Sequence, residues 1–162
     1  MELQHLIVGF MLWVLLPVWV VAGVADYILH RRTSIETTSG PPESALHVLQ
    51  AAEIAVPLLA GLFLEINALV LSIMIVSVIA HTLTALWDGL YTAPRRHISP
   101  IEQHVHSHLE YIPIVAVCLV VLLHWDAFTA AWTFELSLKN EPIPARYLLA
   151  VLIPVFAVQG AL

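Results

Sequence analysis

One short stretch of this chain, from Arg95 to Glu110, concentrates side chains that could bind a metal. Its sixteen residues read R-R-H-I-S-P-I-E-Q-H-V-H-S-H-L-E and include four histidines, two glutamates and two arginines. Imidazole and carboxylate groups are the ligands of many iron, zinc and manganese sites. The stretch therefore fits two interpretations, a transition-metal site or an amphipathic helix lying at a membrane surface.

The same stretch carries the start signal of a helix. Pro100 suits the first turn of a helix, and Ser99 is a good N-cap residue for it. Residues four apart on a helix share a face, which gives two polar stripes: Glu102, His106 and Glu110 on one, His104 and His108 on the other. The two stripes point about 160° apart, so the three alternating histidines cannot all reach one site on a regular helix.

The composition predicts an all-α integral membrane protein. Of the 162 residues, 60% are hydrophobic and only 11% are charged, whereas soluble domains carry about 25% charged residues. A formal net charge of −6 leaves no basic surface for nucleic acid, and we exclude that class of partner.

Apolar runs predict the elements that must position these residues. A membrane-spanning helix needs about 20 apolar residues. We expect one transmembrane helical domain over residues 1–162, a bundle of four to five helices with spans at about 6–25, 45–63, 66–87, 101–124 and 146–162. The fourth span is long enough only if it includes the histidine-rich turns, and the fifth is short.

The basic residues predict the orientation of the bundle. Cytoplasmic loops are enriched in Lys and Arg, and the first and third spans are each followed by a pair: Arg31 and Arg32, Arg95 and Arg96. Spans alternate in direction, so both pairs lie on the same side. We expect the N-terminus outside and the loops 31–44 and 88–101 in the cytoplasm.

With this topology, four helices each bring a histidine and a carboxylate to the cytoplasmic end of the bundle. A charge inside a span costs about 2.5–3.5 kcal/mol at the bilayer centre, and two divalent ions would neutralise the carboxylates and engage the imidazoles. We expect these metal ligands: Asp26, His30, Glu43, His47, His81, Asp88, His104 and His108, with His106 and Glu110 among them or directly behind. Glu53, two turns into the second span, is a candidate proton relay.

Each of these residues also has a simpler interpretation. Asp26 could pair with Arg31 or Arg32 at the level of the headgroups. Glu43 would favour the N-terminus of its helix without any metal. His81 could be a hydrogen-bonded structural histidine.

Histidine clusters at the cytoplasmic ends of about four membrane helices resemble the membrane-bound di-iron superfamily, the fatty acid desaturases and hydroxylases. The resemblance covers roughly residues 26–110 and concerns the architecture. D-Y-I-L-H at Asp26–His30 and E-S-A-L-H at Glu43–His47 carry a carboxylate where the family's H-x(3,4)-H box has its first histidine. H-V-H-S-H at His104–His108 is only loosely similar to the family's H-x-x-H-H box, which does not occur. The resemblance implies two iron ions, dioxygen, a lipid or other apolar substrate and a cytoplasmic electron donor.

We therefore favour an enzyme, a di-iron oxidoreductase that hydroxylates or desaturates a lipid or other apolar molecule. A metal-ion transporter is the first alternative, although the outer halves of the first and third spans are almost wholly apolar. A haem-binding electron-transfer subunit is the second, with His30, His47 or His81 as axial ligands. A zinc hydrolase, a manganese site and a structural subunit of a larger oligomer are further alternatives.

Overall fold

The computed structural model shows a helical chain, and it describes residues 2–33, 35–130 and 135–159. Within these ranges the helices are α1 (Glu2–Phe10), a π-helical segment (Met11–Leu15), α2 (Leu16–Thr33), α3 (Ile35–Thr38), α4 (Pro41–Phe63), α5 (Ala68–Thr92), α6 (Pro100–Leu123), α7 (Trp125–Thr129) and α8 (Ala145–Gln159).

Four helices in the described ranges are long and apolar enough to cross a membrane. They are Leu3–Thr33, Pro41–Phe63, Ala68–Thr92 and Pro100–Leu123. At 1.5 Å per residue even the shortest is about 34 Å long, which exceeds the hydrocarbon core of a bilayer. The four long spans predicted from the sequence are confirmed as helices, and the chain is consistent with a multi-pass membrane protein.

The first membrane-spanning helix, Leu3–Thr33, extends beyond the end of its apolar run. The prediction ended at residue 25, whereas α2 continues to Thr33 and so includes Asp26 and His30. A π-helical turn interrupts it at Met11–Leu15, where the Leu16 N–H donates to the Met11 carbonyl. Pro17 explains this turn, because its ring would collide with the carbonyl four residues earlier in a regular α-helix.

Helix α6, the fourth predicted span, begins where the cap signal placed it, and the described part of the fifth predicted span is helical. The Ser99 side chain accepts a hydrogen bond from the Glu102 N–H at 3.2 Å, and Pro100 occupies the first turn of α6. Helix α8 has 15 residues, about 22 Å, and it packs against α2. The end of the predicted fifth span, residues 160–162, lies outside the described residues.

The long helices pack against one another around one apolar core. Helix α4 turns tightly into α5 and packs along it, while α6 packs against both α2 and α5. The core is centred on three fully buried side chains of α5: Val70, Leu71 and Met74. They belong to the first turns of α5, so the apolar core fills the end of the bundle near the α4–α5 turn.

The connection between α7 and α8 is tied to that α4–α5 turn. The Glu65 N–H donates to the Ser137 carbonyl at 2.9 Å, and the Lys139 N–H donates to the Phe63 carbonyl at 2.9 Å. Asn67 caps α5 through the Val70 N–H and also donates to the Glu135 carbonyl at 2.8 Å. These bonds fix the end of the bundle that is opposite to the histidine-rich start of α6.

Candidate metal centre

Four helices bring ionisable side chains together at the end of the bundle away from the α4–α5 turn. Three contacts join them: His106 Nε2 lies 2.8 Å from Asp26 Oδ1, His47 Nε2 lies 3.1 Å from Asp88 Oδ2, and His30 Nε2 lies 3.6 Å from Glu102 Oε1. We call the following residues the polar cluster: Asp26, His30, Glu43, His47, Asp88, Glu102 and His106. The convergence of four helices that the sequence predicts is therefore present.

Local sequence explains why these side chains face one another. Asp26 and His30, and likewise Glu43 and His47, are four residues apart and share one helical face. Helix α4 can start sharply because Gly40, its N-cap, has a φ of 73° and is followed by two prolines. Only glycine adopts that backbone conformation without strain, and it returns the chain so that α4 starts beside the end of α2.

Two groups within the polar cluster have the composition of a metal site. One consists of Asp26, His30 and His106, the other of His30, Glu43 and His47, and in each the ligand atoms lie within 4.8 Å of one another. Each group has two imidazoles and one carboxylate, the ligand set of many non-haem iron sites. His30 belongs to both, so the two groups adjoin.

Several polar atoms of the polar cluster are buried without a hydrogen bond. Both ring nitrogens of His30 and Oε2 of Glu102 have no hydrogen-bond partner among the described residues. A buried polar group left in this way costs about 1–3 kcal/mol, and proteins seldom tolerate it without a reason. A bound cation would supply a partner for Glu102 and for one ring nitrogen of His30, while the other ring nitrogen carries the proton of the neutral imidazole and faces a carboxylate.

Arg96 is one of two charged residues at the site, with Glu102, that the sequence analysis did not assign to it. It lies between α5 and α6, yet its side chain is buried, with Nη2 2.7 Å from Glu43 Oε1 and 2.6 Å from Glu102 Oε1. Burial alone would lower the pKa of Arg96, but the hydrogen bonds to these two carboxylates and their charges raise that pKa above its ordinary value. Arg96 stays charged and joins a carboxylate of α4 to a carboxylate of α6.

Other polar side chains orient the carboxylates. The Ser39 hydroxyl donates to Glu43 Oε2. Asp88 accepts hydrogen bonds from Gln50 at 3.3 Å and from Thr92 at 3.3 Å, in addition to its contact with His47. Carboxylates held from several directions are preorganised, which is what a metal site requires.

A second, smaller set of polar residues lies one to two turns deeper. Thr84 Oγ1 donates to Glu53 Oε1 at 2.8 Å, and Glu53 Oε2 lies 3.9 Å from His81 Nδ1. His81 is on the wall of a cavity of about 100 Å³ that Asp26, His47 and Asp88 also line. The structure thus places His81 beside Glu53, beneath the polar cluster.

The remaining predicted ligands lie apart from the polar cluster or at its edge. The His104 and His108 rings contact each other, with centroids 4.7 Å apart, and His108 Nδ1 lies 2.8 Å from the His104 carbonyl. Glu110 lines the cavity. The structure therefore brings His106 to Asp26 and does not bring His104 and His108 there. The sequence analysis expected the opposite, with His104 and His108 as ligands and His106 among them or directly behind.

The missed residues differ in the signal that the sequence offered. Glu102 belongs to the stripe of His106 and Glu110, so its position on the helix was sufficient to include it. Arg96 had no such signal, because an arginine after a membrane span is already explained by the positive-inside rule.

Comparison with known proteins assigns no function to these residues. No protein-family model, no curated protein and no solved structure matches the chain.

Proposed function

We propose that the chain is a membrane-embedded metalloenzyme that holds two divalent ions, most simply iron, in the polar cluster. In this proposal it hydroxylates or desaturates a lipid or other apolar molecule with dioxygen. The observation that carries the proposal is the pair of adjoining groups, each with two histidines and one carboxylate, that share His30. Such ligand sets leave coordination positions open for dioxygen at non-haem iron.

The charge of the polar cluster supports two ions. The polar cluster contains four carboxylates, those of Asp26, Glu43, Asp88 and Glu102, and one guanidinium lies beside it, that of Arg96, which contacts Glu43 and Glu102. With neutral imidazoles this leaves three uncompensated negative charges in a largely buried site, which is strongly unfavourable. Two divalent ions would compensate them, whereas a single one would leave a net negative charge.

The residues around the ions would then have distinct roles. Bound iron supplies the activation of dioxygen, while electrons come from a donor on the cytoplasmic side. Arg96 and Ser39 hold the carboxylate ligands in place. His81, on the wall of the cavity, and Glu53, 3.9 Å from it, would pass the protons that reduction of dioxygen consumes.

Two alternatives are less well supported by the geometry. A haem is a large planar group, and the cavity of about 100 Å³ is too small to hold it. A transport path would have to continue past Glu53, where Val70, Leu71 and Met74 are fully buried and apolar.

Metal analysis tests the proposal directly. The detergent-purified protein, expressed without a histidine tag in iron-replete medium, should contain about two irons per chain and show no haem absorbance. His5→Ala is the control, because His5 is exposed on α1 and should leave the metal content unchanged. Zinc alone would redirect the function to hydrolysis, and a metal-free protein would make the polar cluster a structural interface.

A further inference from the structure

A second cavity, of about 210 Å³, lies between α2, α4 and α8. Apart from the nitrogen of one indole, its walls are apolar: Trp19, Ala51, Ala52, Ile54, Ala55, Leu58, Leu59 and Val155. No wall residue carries a charge, so an occupant must be apolar over most of its length.

Trp19 gives this cavity one polar feature. Its side chain is 8% exposed, and its indole nitrogen is buried with no hydrogen-bond partner among the described residues. A buried tryptophan N–H usually finds an acceptor. An occupant that carries an acceptor would therefore complete the site, whereas a plain hydrocarbon would leave the N–H unpaired.

Residues that line this cavity share helical faces with residues of the polar cluster. The buried residues of α2 are Trp19, Ala22, Gly23, Asp26 and His30. On α4, His47 and Ala51 are four residues apart and share a face. Only small side chains separate Trp19 from Asp26 on this face, a distance of about 10 Å along the helix. Because alanine and glycine are the residues in between, an unbranched chain is the shape that suits a path along this face.

The depth of Trp19 limits the choice of occupant. It lies near the middle of the helix Leu3–Thr33, close to the centre of a bilayer. The ester and headgroup oxygens of phospholipids lie at the interface, roughly 15 Å away. A phospholipid of the bilayer therefore brings no acceptor to Trp19, whereas a smaller apolar molecule can.

We propose that this cavity binds the substrate, an unbranched apolar molecule with one oxygen acceptor, such as a carbonyl, that receives the Trp19 N–H. A carbon about 10 Å from that oxygen then lies at the polar cluster. This inference rests on the proposed function, because it assigns the substrate class and the binding site of the same reaction.

A photoreactive probe can test the cavity without any turnover. We would label the protein in detergent with a medium-chain methyl ketone that carries a diazirine, and compare it with the alkane of equal length. The ketone should label peptides from α2 and α4 and should compete better than the alkane. Equal labelling by the ketone and the alkane would show that the cavity takes up any hydrocarbon, and it would overturn the proposal.

Two variants locate the site. Trp19→Phe keeps the ring and removes the N–H, so it should weaken ketone labelling about fivefold, the effect of one ordinary hydrogen bond, and leave alkane labelling unchanged. Trp13→Phe is its control, because Trp13 is 81% exposed. Ala55→Phe should fill the cavity and abolish labelling by the ketone. Unchanged ketone labelling in Trp19→Phe or in Ala55→Phe would overturn the inference.

Metal content measured on the same samples separates this inference from the proposed function. If specific labelling is absent while two irons are bound, the proposed substrate site is wrong and the proposed metalloenzyme is retained. If a protein that contains no metal is specifically labelled, the binding site in the cavity is supported and the proposed metalloenzyme is wrong.

Discussion

The imidazole rings of His30 and His47 are stacked, with centroids 4.6 Å apart and planes within 7° of parallel. This contact joins α2 to α4 and places the histidine shared by both ligand groups against a ligand of one of them. Two protonated imidazoles would repel each other at this distance. The neutral form of imidazole avoids this repulsion, and it is also the form that binds a metal.

His30→Ala should remove more metal than any other single histidine substitution, because His30 belongs to both groups. We expect the variant to lose nearly all bound metal, while His47→Ala retains roughly half, since each group is a separate set of ligands. Elemental analysis of the purified variants measures this. Equal losses in the two variants would mean that His30 is not shared.

The three alternating histidines of α6 should behave differently from one another. His106→Ala removes the residue that lies 2.8 Å from Asp26, so bound metal should fall. The double variant His104→Ala/His108→Ala should bind metal like the parent, because these two rings contact each other. A metal loss in the double variant equal to that in His106→Ala would show that α6 is rotated relative to this structure.

The rotation of α6 marks the limit of what the sequence could predict. Its start at Pro100, its cap and its two polar stripes follow from local signals, and all are confirmed. Which stripe faces the bundle depends on tertiary contacts, above all on the ion pair between Arg96 and Glu102. Spacing alone gives the angle between the stripes and not their direction.

The same distinction explains the other differences. Apolar runs located the four long helices, but counting apolar residues ended the first span at residue 25, before Asp26. The backbone hydrogen bonds of α2 continue through the charged residues to Thr33. The burial of Arg96 depends on the path of the chain between α5 and α6, on which composition carries no information.

Arg96 and Arg95 form a matched pair of neighbouring arginines in opposite environments. Arg96→Gln leaves Glu43 and Glu102 buried without their cation, so the free energy of unfolding should fall by about 3–5 kcal/mol in the metal-free protein. Arg95 is exposed and stacks on Tyr91, with its guanidinium 3.7 Å from the ring centroid. Arg95→Gln should therefore cost less than about 1 kcal/mol.

Denaturation in mixed micelles, with and without iron, measures both arginine variants. If metal binds beside these carboxylates, iron should restore part of the stability lost in Arg96→Gln, because the ions replace the missing positive charge. Equal destabilisation by the two substitutions would contradict the buried ion pair. If Arg96→Gln is destabilised equally with and without iron, Glu43 and Glu102 do not lie beside the metal.

The orientation of the bundle can be tested with single cysteines. Cys118 is exposed, so it is first replaced by alanine. Ala93, directly after α5 at the end that holds the polar cluster, and Asn140, beside Lys139 at the other end, are both exposed and are changed to cysteine one at a time. Because the arginine pairs that follow the first and third spans lie at the Ala93 end, the positive-inside rule predicts that Ala93→Cys is labelled only from the cytoplasm.

Asn140→Cys should show the opposite accessibility to a membrane-impermeant thiol reagent in intact cells. Labelling of Ala93→Cys from outside would reverse the bundle and place the polar cluster at the outer face. A cytoplasmic electron donor could then not reach it, and the oxidoreductase proposal would need a reductant on the outer side. Labelling only from the cytoplasm keeps the polar cluster next to the compartment that supplies reducing equivalents.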